Sequence, residues 1–130
     1  MSEESNKQTM GSVKFIQHKE KEILHIDLSQ SELEEIVPIL TEAKKLIAQR
    51  DHKSVLTLTN VTDTRYTPVL DRMMKEFAIH NKPYVAAGAV VGVAGIRKVV
   101  FESVIQFSGR ALHLSDNEES AKEWLIQQKL

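Results

Sequence analysis

The sequence contains no cysteine, and that absence removes disulfides, thiolate nucleophiles and cysteine-based zinc sites together. It also lacks an excess of charge of either sign, with 17 Lys and Arg against 18 Asp and Glu. No global field therefore draws it to nucleic acid or to an anionic membrane. Long hydrophobic runs are missing too. The longest, from Tyr84 to Ile96, is broken by glycines and falls short of the roughly 20 residues that span a bilayer, so no stable membrane insertion is expected. The opening MSEESNKQTMG is polar and acidic early, without the basic start and apolar stretch of a secretory signal. A cytoplasmic protein is the expectation.

What is present is ordinary globular material, 42% apolar and 27% charged over 130 residues. That length fits one domain and buries about two thirds of the surface its unfolded form exposes, enough for a core without staples. Residues 1–11 hold nothing that could anchor to a core and are expected to be a disordered tail, with the domain over 12–130.

Val13, Phe15 and Ile16 suggest a first strand, and the charged HKEKE after them reads as a turn. From Ile23 to Leu28, Leu24, Ile26 and Leu28 alternate with His25 and Asp27, the pattern of a half-buried strand paired antiparallel with the first. Ser31 and Glu34 have the spacing of a capping box. Leu33, Ile36, Val37, Leu40, Ala43, Leu46 and Ile47 then recur on one helical face. Pro38 interrupts this pattern, which predicts a kink near Val37 or a helix restarting there. Ser54 to Thr59 is the next strand, and Thr67-Pro68 reads as an N-cap with proline at the first helical position. Leu70, Met73, Met74 and Phe77 form the stripe of that helix, which Asn81 and Pro83 end. Tyr84 to Val91 suits a central strand covered on both faces. Gly92, Ala94 and Gly95 lead into a third helix with Ile96, Val99, Val100, Val104 and Phe107 inward, ended by Gly109. Ala111 to Leu114 is a last short strand, and Ser115 with Glu118 repeats the capping-box spacing before a helix bearing Ala121, Trp124 and Leu125. The order ββαβαβαβα predicts an α/β domain with a mixed, mostly parallel sheet of about five strands and about four helices.

Few constellations point to chemistry. Gly88, Gly92 and Gly95 stand where a strand gives way to a helix, yet match neither the dinucleotide fingerprint nor the Walker sequence. Arg97 and Lys98 lie in the first turn of that helix, where the dipole disfavours cations, so an anion near Gly92, Gly95, Arg97 and Lys98 would ease them. The histidines at 18, 25, 52, 80 and 113 have no metal-ligand spacing, and no metal or cofactor is expected. His25 and His113 could meet across the sheet, with Asp27 near. No serine sits in a Gly-x-Ser-x-Gly elbow, and nothing matches a nucleophile–base arrangement. The segment after the third strand is the most informative, because open α/β sheets place ligand sites at the carboxyl ends of their strands. It carries Thr62, Asp63, Thr64, Arg65 and Tyr66 ahead of Thr67, whose hydroxyl at a helix N-cap is also a natural place for added negative charge.

Three stretches, LTLTNVTDT, NKPYVAAGAVVGVAGIRKVV and SDNEESAKEWL, make residues 12–130 resemble the SpoIIAA-like branch of the STAS domains, named for sulphate transporters and anti-sigma-factor antagonists. The resemblance implies a STAS-like fold and a bacterial regulatory or scaffold protein without a catalytic site, acting on a protein partner. In anti-sigma antagonists a Ser or Thr at the start of the helix after the third strand is phosphorylated, and Thr67 matches that position. The sequence departs from the family pattern there, with Tyr66-Thr67-Pro68 in place of Asp-Ser followed by glycine. STAS folds also resemble the CRAL-TRIO carriers, so the alternative is a carrier of a lipid or other apolar ligand, held between the sheet and the helices beginning at Thr67 and Gly95. Homodimerisation is compatible with the sequence, but no residue specifies it.

Overall fold

The computed structural model describes residues 12–93 and 112–128, together with Lys98 and Glu102. Strands β1 (Ser12–His18) and β2 (Lys21–Asp27) pair antiparallel from Ser12 opposite Asp27 to His18 opposite Lys21. Most of the HKEKE segment is thus strand rather than turn. Only Lys19 and Glu20 remain to reverse the chain, with Lys19 in the left-handed region at φ 56°.

Helix α1 (Leu33–Ala48), strand β3 (Val55–Asn60), helix α2 (Pro68–Asn81), strand β4 (Val85–Val91), strand β5 (Leu112–Ser115) and helix α3 (Glu118–Ile126) follow. The sheet order is β1-β2-β3-β4-β5, with every pair after the first parallel. The third helix foreseen from Gly95 onward lies outside the described residues.

Because consecutive parallel strands are neighbours, crossovers of one hand place their helices on one face. α1 and α2 share that face. Leu24 and Ile26 of β2, and Leu28 just after it, meet Ile36, Leu40, Ala43 and Ile47 of α1 and Leu70, Met74 and Phe77 of α2 there. The opposite face carries α3, whose Ala121 and Leu125 rest on Ile23, Leu56, Leu58, Ala87, Ala89 and Val91. Covering both faces buries the threonines of the LTLTN strand as well as its leucines, with Thr57 and Thr59 at 3% and 5% exposure.

Helix boundaries correct three expectations. α1 is capped from Glu32, with the Glu35 carboxylate accepting from the Glu32 N–H at 2.8 Å. Ser31 is instead buried and donates to the Ser29 carbonyl at 3.3 Å, so the expected Ser31–Glu34 box is displaced by one residue. α3 is capped by Asn117, which accepts from the Ser120 N–H at 2.8 Å, because β5 continues to Ser115 opposite Val91. α1 also runs unbroken through Pro38. The carbonyl that proline leaves without its helical donor belongs to Glu34, an exposed residue. Val37, foreseen on the buried stripe, is 45% exposed.

Candidate functional site

Four parallel strands end along one edge of the sheet, and the segment from Asn60 to Thr67 is folded against it by its own polar groups. The backbone continues the ladder briefly, with the Val61 N–H donating to the Val91 carbonyl at 2.8 Å and the Leu28 N–H to the Asn60 carbonyl at 2.8 Å. The Asn60 carboxamide oxygen then accepts from both the N–H and the hydroxyl of Thr62, at 2.9 and 2.6 Å. Thr64 is buried, and its hydroxyl donates to the Leu28 carbonyl at 2.6 Å, which ties the segment to the end of β2. Between them Asp63 is exposed and left-handed at φ 56°.

Gly92 makes the close packing of this segment attainable. Its φ is 95°, and a Cβ added there would lie 2.5 Å from the Thr62 backbone nitrogen and 2.6 Å from its Cα. Only glycine satisfies both demands. Of the other residues considered for anion binding, Lys98 is exposed, while Gly95 and Arg97 lie outside the described residues.

Tyr66 packs against the core, and its hydroxyl donates a short hydrogen bond to Asp71 of α2. Burial first, and the Asp71 carboxylate second, push the Tyr66 phenol well above its ordinary value. The bond from Tyr66 in turn holds Asp71 below the usual carboxylate range, helped by Lys75 at 3.2 Å. Thr67 caps α2 as expected, accepting from the Leu70 N–H at 3.1 Å with Pro68 behind it. Next to it lies an open groove of about 320 Å³ between the first turns of α1 and α2. Leu33, Ile36 and the 42%-exposed Val69 supply its apolar wall, and Glu32, Glu34, Arg65 and Thr67 its polar groups. The structure thus gathers Arg65, Thr67 and Val69 at one groove. Thr64 is turned inward instead, and the exposed Thr62 is held by Asn60.

A polar cluster that no local sequence pattern announces lies under α3. Glu118 Oε2 accepts from His25 Nε2 at 2.9 Å and from Asn60 Nδ2 at 2.8 Å. Burial pushes the Glu118 carboxyl up, but the bonds from His25 and Asn60 outweigh it, and the group sits below its ordinary value. The strict alternation of His25 and Asp27 with core residues was the available signal, because it sets them on the α3 side. The expected meeting of His25 with His113 does not occur, since β3 and β4 separate their strands. His113 stacks on Trp124 at 4.8 Å instead. Among the described residues no three His, Asp or Glu side chains converge as metal ligands would. Leu70, Met74 and Phe77 of α2 face the core on the side foreseen for an apolar ligand, and the other wall of that space, from Gly95, lies outside the described residues. No helix among the described residues is long and apolar enough to cross a membrane.

No family model and no curated protein matches the sequence. The fold does have a counterpart among solved structures. An uncharacterised protein of the DUF3478 family from Shewanella loihica PV-4, described as having a SpoIIAA-like fold, superposes with a TM-score of 0.70 over 93% of this chain and 99% of its own. At 9% identity the likeness is one of fold, and it gives this chain the SpoIIAA-like, STAS-like architecture that its motifs suggest.

Proposed function

We propose that this SpoIIAA-like domain is a non-enzymatic regulatory or scaffold module of the cytoplasm that binds a protein partner at the groove between the first turns of α1 and α2. The exposure of Val69 beside Arg65 and Thr67 is the observation that carries the reading. A large aliphatic side chain left open among a few polar groups has the make-up of an interface centre. The segment leading to it is fixed by the bonds of Thr62, Thr64 and Tyr66, so little order would have to be imposed on binding. Thr67 is the acceptor for a regulating phosphate in this reading. Added phosphate would meet the positive end of the α2 dipole and the Arg65 guanidinium, but also the carboxylates of Glu32 and Glu34. Phosphorylation would therefore change which partner charge the groove accepts.

The test is site-specific photo-crosslinking in the native host, with the reactive residue in place of Val69 or, as a control, of the exposed Glu119 on α3. A discrete protein adduct from position 69 and none from 119 is the expected result. Equal or absent adducts from both would refute the groove as a partner site.

A further inference from the structure

The groove beside Thr67 does not end at the first turns. α1 and α2 each connect two parallel strands, so they run side by side in one direction. A smaller depression of about 90 Å³ lies further along the same seam, with Val37, Thr41 and Lys44 on the α1 side and Met73 and Glu76 on the α2 side. Together with Leu33 and Val69 of the first groove, each helix lines the seam with one stripe, at 33, 37, 41 and 44 on α1 and at 69, 73 and 76 on α2. The α1 stripe is about 16 Å long, or three turns. Val37 and Val69 are both exposed, one on each wall, although Val37, Val69 and Ile79 are the only large apolar side chains so exposed among the described residues.

We propose that this seam binds an amphipathic α-helix of a partner protein, about three turns long, with large apolar residues at i, i+4 and i+7. The inference rests on the partner-binding reading above and extends it along both helices. Main-chain chemistry selects a helix. Both walls of the seam are helices whose N–H and C=O groups bond within themselves, and the sheet lies beneath them, so no strand edge borders it. An extended segment laid there would bury main-chain groups without partners, whereas a helix satisfies its own. Leu33 to Val37 and Val69 to Met73 are each one step of four residues, about 6 Å, so the apolar residues of a helix lying alongside fall in register with them. A second copy does not supply that helix. Among the described residues no helix carries more than two exposed large apolar side chains, and the two on α2, Val69 and Ile79, are nearly three turns apart.

The test places a photo-crosslinking residue at Val69 or at Glu76, both exposed, in the full chain in its native host, and locates the attachment points on the partner by mass spectrometry. The two positions are about 10 Å apart along α2. A helix in the seam should give adducts with the same protein from both, attached about seven residues apart in its sequence. An extended partner would give a spacing of about three residues. That spacing, or an adduct from 69 without one from 76, would overturn the helix and leave the first groove standing as a partner site. No adduct from 69 would overturn both. Thr41→Arg sets a charge at an exposed position on the seam, away from the first groove, and should lower the adduct yield from 69 at least about tenfold with an unchanged melting temperature. Val37→Arg takes its place if Thr41→Arg shifts the melting temperature, and an undiminished yield would overturn the proposal. Adducts joining two copies of this chain would overturn it in favour of self-association.

Discussion

One face of the sheet carries α1 and α2, with 16 and 14 residues, whereas among the described residues the other carries α3, with nine. The first contact is made by large aliphatic and aromatic side chains that mesh continuously from Leu24 to Phe77. The second joins Ala121 and Leu125 to Ile23, Leu56, Leu58 and Val91 with Ala87 and Ala89 among them, and polar contacts add to it. Glu118 takes hydrogen bonds from His25 and Asn60, Glu123 from His18 at 2.8 Å and Lys19 at 3.2 Å, and the Gln128 carbonyl from Lys21 at 3.0 Å. His113 stacks on Trp124 at the far side. A two-helix layer can thus rest on area alone. The shorter α3 adds directional contacts from β1, β2 and β3 to its apolar seat.

The difference is sharpest in the cores. Phe77→Ala, on the two-helix face, should cost about 3–5 kcal/mol and lower the single global unfolding transition. Leu125→Ala should cost about 2–5 kcal/mol, and its signature is local, with amides of Glu118–Ile126 exchanging before the rest of the chain unfolds. Equal, global exchange in both variants would break the distinction.

Gly92→Ala comes next. It forces an unfavourable left-handed conformation and a clash with the Thr62 backbone, which we expect to cost about 2–3 kcal/mol in chemical denaturation. Thr62→Ala should not rescue it, because the clash includes backbone atoms.

Glu118→Ala should cost about 2 kcal/mol by leaving His25 and Asn60 without their acceptor. The same carboxyl gives the polar face a pH dependence. Its folded pKa lies below the ordinary value, so the stability it contributes is complete above about pH 4.5 and is lost as pH falls through the folded value. Asp71 has a lowered pKa on the other face and contributes in the same sense. Glu118→Gln should therefore flatten the acid limb of the stability curve only in part, which urea titrations between about pH 3 and 6 would show. Smallest is Thr67→Ala, which should cost about 1 kcal/mol through the lost cap on α2.

The apolar face was legible because its signals are periodic. Leu24, Ile26 and Leu28 alternate and α1 repeats its stripe, so the elements and their faces follow from spacing. The Thr67-Pro68 start of α2 was legible because an N-cap and an N1 proline have local causes. The polar face was not, since Glu118 meets His25 and Asn60 across 93 and 58 residues of chain and no local pattern encodes that meeting. The same holds for the cap of α1, where Ser31 had the better N-cap side chain but was needed inside. Of the site, Thr67 as a helix cap could be read from the sequence, whereas the groove it shares with Val69 depends on how α1 and α2 lie together.

The sheet order copies the order of the chain. During synthesis a nascent strand therefore never has to insert between two others. β1 and β2 close into a hairpin with the most local of all pairings, and β3, β4 and β5 each arrive when the strand they need is already the outermost one. α3, the last described element to leave the ribosome, finds its histidine and asparagine partners already laid out on finished strands. An assembly that followed the chain in this way would add each strand at a single growing edge and would set the polar fastening of α3 after its partners.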